Sequence, residues 1–455
     1  MQPHRHDLVV IGGGSAGLVA ADFGARFGAD VLLIEKEKIG GDCTWTGCVP
    51  SKALLHAAGI AHQTRAASDT GTRPARAGVN FPEVMRRVRE AVAAVYSFET
   101  PEELRGRGID VELGEARFLD HASVEVAGRR IQARNFIICT GAVPQRPPVP
   151  GLEAVPAITH EEVFDLEQLP QRLLVLGAGP VGVELAQAFA RLGSEVTLVE
   201  KESRLLPATD PEAADVLMRR LAADGVRTEV GVALEHVSWD GSQVAADSAR
   251  GRLTADMLLV ATGRRPEVDG LRLARAGVDH DARGIRVDRN LKTSQNHVYA
   301  AGDVTGSFQF THYAGWQGYV AARNALFPGS IRGVATAVPW AVFTQPEVAQ
   351  VGLTEEQARE LGPKTAVHRL PLERVDRALT TGDTEGFIKM VATPSGKILG
   401  ATIVAPAAAE LASRSRSPAA STSSAWPRPC TSTPPSGWES SRSRPASASC
   451  MRAAA

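Results

Sequence analysis

A short apolar run, a glycine-rich turn, a helical stretch and a second apolar run ending in an acid occur twice in this chain. No other feature constrains its fold as much. In the first copy Asp7-Leu8-Val9-Val10-Ile11 reads as a buried strand and Gly12-Gly13-Gly14-Ser15-Ala16-Gly17 as the turn. Leu18 to Phe27 is helical, and the strand Val31 to Ile34 ends in Glu35. In the second copy Arg172 to Leu176 leads into Gly177-Ala178-Gly179-Pro180-Val181-Gly182, a helix to Leu192 and a strand Glu195 to Val199 closed by Glu200. The first glycine of each turn makes the bend, the second lets the backbone approach a pyrophosphate, and the third lets helix pack on strand. The helix N-terminus then faces the phosphates, and an acid about 20 residues on accepts hydrogen bonds from a ribose diol. A glycine turn alone is a weak signal; strand, helix and acid together predict a dinucleotide site at each copy.

Directly after the first copy comes Gly40-Gly41-Asp42-Cys43-Thr44-Trp45-Thr46-Gly47-Cys48-Val49-Pro50-Ser51-Lys52. Gly40, Gly41 and Gly47 give the backbone freedom to bring Cys43 and Cys48 to the Cβ separation of about 3.5–4.5 Å that a disulfide needs. Pro50 suits the opening of a helix. A helix N-terminus and the nearby Lys52 would both favour a thiolate, the species that attacks disulfides, binds soft metals and donates electron density to an electrophile. Taken alone, such a pair is equally compatible with a structural or incidental role. Composition narrows the choice: five cysteines in 455 residues are too few for a disulfide scaffold, so a close pair in a reducing compartment points to catalysis or metal binding.

Two dinucleotide sites need two cofactors, or one cofactor and one substrate. A redox thiol pair beside the first makes flavin plus nicotinamide the economical combination. Glu200 in the ribose position argues for NADH, because a 2'-phosphate would be repelled, while Lys201 and Arg204 keep NADPH open.

The formal net charge of -1 carries no footprint for nucleic acid. No apolar run approaches the roughly 18 residues of a membrane span, and the first one runs into glycines rather than a cleavage site. A cytoplasmic protein with neither nucleic-acid nor membrane partner is expected. No resident metal site is expected either.

The expected fold class is α/β, with two Rossmann-like domains and a C-terminal α+β unit; the resemblance that these pieces carry implies that this unit is an interface domain, incomplete at its end. Residues 1–150 form the first part of the FAD-type domain with the cysteine pair. It includes helices Ala53 to Arg65 and Phe81 to Tyr96, a loop Asp69 to Asn80, and a strand Arg134 to Thr140 before the Pro-rich Pro144 to Pro150. Residues 151–268 form the second dinucleotide domain, closing on Met257 to Ala261 and Thr262-Gly263-Arg264-Arg265-Pro266. Residues 269–335 return to the first domain with the strand Val298-Tyr299-Ala300-Ala301-Gly302-Asp303. Its terminal acid points into a ligand crevice or caps a helix. Residues 336–410 carry strand-like runs at Trp340 to Thr344, Phe387 to Val391 and Ile398 to Val404, with a helix Thr354 to Leu361. Residues 411–455 are a Ser-, Arg-, Pro- and Ala-rich tail with no apolar period.

With these pieces in order, the chain resembles the flavoprotein pyridine nucleotide-disulfide oxidoreductases, the family of dihydrolipoamide dehydrogenase, glutathione reductase and mercuric reductase. The resemblance runs from about Asp7 to about Glu410. It rests on the two fingerprints, the G-G-D-C-x4-C-V-P-S-K segment, and the T-G-R-R-P and Y-A-A-G-D elements in family order. It implies that Gly12, Gly14, Gly17 and Glu35 bind the adenosine diphosphate of FAD and that Asp303 bonds its ribityl chain. Gly177, Gly179, Gly182 and Glu200 would bind NAD(P)H, and Gly141 and Gly263 complete the cofactor-binding set. Lys52 would pair with Glu184 near the flavin. Cys48 would be the thiol nearest the flavin, making the charge-transfer contact, and Cys43 the interchange thiol. Electrons would run from NAD(P)H through FAD to a Cys43–Cys48 disulfide and out to a small-molecule or metal-ion acceptor.

The Asp42 and Trp45 wording resembles the mercuric-reductase-like branch. Dihydrolipoamide dehydrogenase and NAD(P)H quinone reductase are the alternatives. The family's homodimer is set against a departure: its C-terminal His-Pro-Thr motif and following glutamate, an acid–base pair across the dimer boundary, have no match here. A frameshift near Glu410 is the favoured account of the tail. A flavin-binding module without turnover is the reading of a different class. The adjacent C-terminal cysteines of mercuric reductases are also missing, since Cys430 and Cys450 stand isolated. Cys139 reads as a core residue, and His312 and Tyr313 either line the flavin or pack.

Overall fold

Leu8, Val9, Val10 and Ile11 are all buried, as a strand must be when structure covers both its faces. In the computed structural model, which describes residues 4–67, 71, 78–362 and 364–414, Arg5–Ile11 is accordingly a central strand. The parallel order is Ile109–Leu113, Val31–Glu35, Arg5–Ile11 and Arg129–Ile138, with Val298–Ala300 joined to the last. A hairpin of Arg117–Asp120 and Ser123–Val126 extends this sheet antiparallel. The first unit is thus built from two stretches of chain separated by the second.

The second unit repeats the plan with a parallel sheet ordered Val226–Val230, Glu195–Glu200, Arg172–Leu176, Met257–Val260 and Ala157–Ile158. Antiparallel pairing of Ala142–Pro144 with Arg264–Pro266 marks the two crossings between the units. The third unit is a five-stranded antiparallel sheet, Trp340–Val342, Glu347–Gly352, Ile398–Ala405, Phe387–Ala392 and Ala366–Pro371. The expected α/β class with a C-terminal α+β unit is what the chain forms. Among the described residues no helix is long and apolar enough to cross a membrane. The tail after residue 414 and most of the loop expected from Asp69 to Asn80 lie outside the described residues, and so does the frameshift reading.

The helix expected from Ala53 begins earlier, spanning Cys48–Ala66. Gly47 precedes it and its carbonyl accepts from the Ser51 N–H at 3.0 Å, so Pro50 falls in the first turn, where its missing N–H costs nothing. Leu54 and Ala58 of this helix share one core with Phe189 of helix Pro180–Leu192 and with Val342 and Val404 of the antiparallel sheet. The helix that carries Cys48 is therefore held by all three units.

Eight of the helix starts divide into two kinds. Phe81–Tyr96, Pro101–Gly106, Pro211–Ala223 and Glu355–Leu361 begin with a side-chain cap from Asn80, Thr100, Asp210 and Thr354 respectively. Ser15–Arg26, Cys48–Ala66, Pro180–Leu192 and Thr311–Leu326 begin with none, and have no acid in the first turn. Uncapped starts leave backbone N–H groups for another partner, and these four begin at the two glycine turns, at Cys48 and at Thr311.

Candidate active site

At the first turn Gly12 has φ +103°, and a Cβ there would stand 2.3 Å from the Cys139 carbonyl oxygen; a Cβ on Gly17 would stand 1.8 Å from that of Gly12. Both positions are closed to any side chain. Gly14 differs: its nearest neighbour would be the Gly41 Cα at 3.9 Å. It lines a cavity of about 500 Å³ whose wall also includes Glu35, Gly141, Asp303 and Cys43. The parallel register Ile11↔Ile34 sets Glu35 beside the turn. Its carboxylate accepts from the Gly13 N–H at 2.6 Å and the Glu37 N–H at 2.7 Å, and a carboxylate has acceptor capacity for about four such bonds. Uncapped helix, a glycine on the cavity wall and a held carboxylate fit the adenosine diphosphate part of FAD.

Farther along the cavity Arg264 bridges two acids. Its Nη1 donates to Asp303 Oδ2 at 2.6 Å, while Nη2 donates to Asp42 and, at 3.1 Å, to the Ala142 carbonyl. Its Nε is buried with no partner among the described residues, a donor left for a ligand in the wall. Burial pushes the Asp303 carboxyl up despite the guanidinium beside it.

The cysteine segment is laid backbone-to-backbone on the glycine turn. The Gly40 N–H donates to the Gly13 carbonyl at 2.8 Å, and a Cβ on Gly41, φ +57°, would stand 2.9 Å from the Gly14 Cα. Trp45 anchors the segment through its Nε1–H to the Ile39 carbonyl at 2.7 Å and its ring against Tyr96. Cys43 lies in the short helix Gly41–Trp45 and Cys48 opens the next; both are free thiols in hydrogen-bond contact. The Thr311 hydroxyl is 3.2 Å from Cys48 Sγ. Lys52 Nζ donates to Glu184 Oε2 at 3.0 Å, and Glu184 Oε1 accepts from the Phe343 N–H at 2.8 Å.

The two sulfurs are driven apart in acidity. The hydrogen bond from Cys43 lowers Cys48 most; burial opposes it, but Lys52 and Thr311 add to the lowering and bring Cys48 to about 6. The same bond, with burial and the Cys48 charge, pushes Cys43 up. Burial would depress the Lys52 ammonium, yet the charges of Glu184 and Cys48 outweigh it and the net shift is upward. At neutral pH the site holds a Cys48 thiolate accepting from a Cys43 thiol. Cys43 is among the residues that line the cavity and Cys48 is not, while Cys48 is the more acidic of the two.

The second turn repeats the first: Gly177 is closed by the Ala261 carbonyl at 2.5 Å and Gly182 by that of Gly177 at 1.9 Å, whereas a Cβ on Gly179 would meet nothing within 4 Å. Glu200 accepts from the Ala178 N–H at 2.7 Å and the Glu202 N–H at 2.9 Å. Arg204 is engaged by Glu356 at 3.3 Å and the Pro207 carbonyl at 3.2 Å. Gly263 sits at the crossing between units, its carbonyl accepting from the Gln145 N–H at 2.9 Å.

Cys139 is buried, and burial alone pushes its thiol up. His312 stacks on Phe310, and Tyr313 is fully buried and accepts from the Ala335 N–H; both pack. Arg264, Thr311 and Phe343 are the site residues that sequence reasoning passed over. The charge within T-G-R-R-P was the available signal for Arg264; the other two carried none.

Two glycine-turn nucleotide sites and a thiol–thiolate pair against the first define a dithiol oxidoreductase of the flavin and nicotinamide type. Residues 6–318 match the family described as pyridine nucleotide-disulphide oxidoreductase, and residues 338–416 match its dimerisation domain. The chain belongs to this family of flavoenzymes, which use FAD and NAD(P)H. A mercuric reductase from Bacillus cereus is 36% identical over 414 residues, covering 90% of this chain, which spans 66% of that relative's length. A dihydrolipoyl dehydrogenase from Thermus scotoductus is 39% identical over 428 residues, with 89% of each chain covered. Among solved structures, the Cu(II) complex of the HOCl-induced flavoprotein disulfide reductase RclA from Escherichia coli superposes with TM-score 0.80 at 32% identity, covering 90% of this chain and 91% of that one. LpdA from Mycobacterium tuberculosis gives TM-score 0.81 at 30% identity, covering 89% and 91%.

Proposed function

We propose that the chain passes two electrons from NADH, through FAD bound at the first turn and the Cys43–Cys48 pair, to a thiophilic acceptor of the kind its mercuric reductase relatives are named for. The single observation that carries this reading is the pair of free thiols in hydrogen-bond contact, with Thr311 and the Lys52–Glu184 pair beside them, against a cavity built on a glycine turn. FAD supplies the two-electron link between nicotinamide and sulfur.

The chain's residues do the rest. A Cys43–Cys48 disulfide that takes up two electrons and one proton becomes the Cys43 thiol and Cys48 thiolate found here. Lys52, held by Glu184, stabilises that thiolate. Cys43 then loses its proton and its sulfur attacks the acceptor. With a disulfide acceptor, one thiolate leaves, Cys48 attacks Cys43 to release the second, and the intramolecular disulfide is restored. A soft metal ion would be ligated by the same sulfurs, and RclA, a solved relative, forms a complex with Cu(II). Engagement of Arg204 by Glu356 leaves Glu200 facing the ribose and supports NADH over NADPH. The match over residues 338–416 supports a homodimer, and the proposed domain limits stay at 1–150, 151–268, 269–335 and 336–410.

Dihydrolipoyl dehydrogenase activity is the second reading, favoured by the 89% coverage of both chains in the match to the Thermus relative. Anaerobic titration of purified protein with NADH, followed by Hg(II), lipoamide or a quinone, separates the cases. NADH should bleach the flavin and expose two new titratable thiols, and one acceptor should reverse both. Cys43→Ser and Cys48→Ser should each lose acceptor turnover by on the order of 10³-fold or more. If both variants turn over acceptor like the parent, the sulfur route is wrong and direct flavin-to-quinone transfer replaces it. A chain that binds FAD but cannot be reduced by NADH is a module without turnover.

A further inference from the structure

At the other end of the first sheet, a second set of ligand-type side chains converges. His4 and His6 are alternate residues entering the strand Arg5–Ile11, so an extended backbone puts both imidazoles on one side. Arg5 between them turns away, its Nε donating to the Ala133 carbonyl at 3.1 Å. The parallel register Leu8↔Val31 brings the residue before Val31 alongside. Asp30 is held there by its backbone: its carbonyl accepts from the Asp7 and Leu8 N–H groups at 3.0 and 3.1 Å, and its own N–H donates to Asp7 Oδ2 at 3.1 Å.

On this fixed frame Asp30 offers one oxygen to each ring. Oδ1 is 2.9 Å from His6 Nδ1 and Oδ2 is 3.0 Å from His4 Nε2, and the rings stand perpendicular with centroids 4.6 Å apart. All three ligand atoms lie within 4.8 Å of one another. We propose that His4, His6 and Asp30 form a binding site for a divalent transition-metal ion of the zinc and copper class.

Metal–nitrogen bonds near 2.0 Å in a tetrahedron place neighbouring ligand atoms about 3.3 Å apart, so the two His–Asp contacts need to open by a few tenths of an ångström, and the remaining separations, all within 4.8 Å, need to close toward the same value. Two imidazoles and a carboxylate suit a borderline ion rather than calcium or magnesium, which want oxygen ligands. An ordinary surface His–Asp pair accounts for one ring. A second ring on the other oxygen of the same carboxylate is what a ligand set has.

With side-chain exposures of 72% for His4, 36% for Asp30 and 12% for His6, the site is seated on the strand and open to water on one side. It lies roughly 20 Å from the glycine turn, the length of the strand at about 3.3 Å per residue. An ion bound there clips the lead-in of a central strand to the adjoining loop and stands apart from the sulfur pair.

The test is calorimetric titration of Zn(II) into the untagged full-length protein after alkylation of its accessible thiols, so that sulfur cannot compete. One equivalent should bind. His6→Ala and the near-isosteric Asp30→Asn should each weaken it at least about tenfold, the loss that even outer-shell changes bring at metal sites. Cu(II) bound to the same protein should show nitrogen coupling from two imidazoles in its electron paramagnetic resonance spectrum, and from one in His4→Ala, whose exposed side chain can be lost without disturbing the fold. A Zn(II) isotherm unaltered by Asp30→Asn, or no Zn(II) bound by the parent, overturns the site.

Discussion

The two glycine turns are near copies in backbone and opposite in setting. Each is tied to its neighbouring strand by the same bond, Gly12 N–H to the Ile34 carbonyl and Gly177 N–H to that of Val199, both 2.8 Å. Each presents its next N–H to the carboxylate that ends that strand, at 2.6 Å for Gly13 and 2.7 Å for Ala178. The middle glycines part company: Gly14 is roofed by Gly41, and Gly179 faces open space. Local sequence therefore makes the binding turn, and what the chain lays over it decides how long a ligand stays. A roofed turn suits a resident cofactor; an open one suits a cosubstrate that must leave every cycle.

The sharpest way to break this contrast is a matched pair. Gly14→Val should yield protein that purifies without flavin, because the side chain enters the cavity under Gly41. Gly179→Val should keep its flavin and raise the KM for NADH by about tenfold, or about 1.4 kcal/mol. Equal flavin content in the two would end the distinction.

Smaller effects sharpen it. Glu200→Arg should raise the NADPH-to-NADH ratio of kcat/KM by about tenfold while leaving flavin content alone, since charge at the second turn selects the ribose phosphate; an unmoved ratio counts against the ribose role. Lys52→Met tests the thiolate beside the first turn. Cys48 ionises at about 6, so its alkylation should be slow below that pH and fast above it. Removing the ammonium should raise the midpoint and slow labelling at pH 7 severalfold. The sign for stability follows: the depressed Cys48 value adds stability that is complete above the ordinary thiol range near 8.5 and is lost as pH falls through about 6. Least of all, Thr354→Ala removes a capping box and should cost about 1 kcal/mol in denaturant unfolding with no change at either turn.

The turns were legible because the signals that mark them are local: the strand Arg172–Leu176, the helix Pro180–Leu192 and both terminal acids stand where periodicity and turn chemistry put them. The pairing of Lys52 with Glu184 was reachable only through the family resemblance, and in the structure the two side chains stand 3.0 Å apart. Arg264 was not legible in its role, since its partner Asp42 is 222 residues away in sequence and nothing in T-G-R-R-P tells which acids the guanidinium will meet. Phe343 contributes a backbone N–H, which any residue type supplies, so no sequence signal for it exists. The strands Glu347–Gly352 and Ala366–Pro371 were not singled out because neither has clean alternation; their positions are set by pairing within the antiparallel sheet.

A backbone N–H of the third unit holds Glu184 in the second, Glu184 holds Lys52, and Lys52 charges Cys48 in the first. The reactivity of one sulfur is thereby a gauge of whether three separately built parts have come together. A chain whose last unit is misassembled would announce it as a sluggish cysteine long before it lost its flavin, and a simple labelling rate would serve as quality control for the whole molecule.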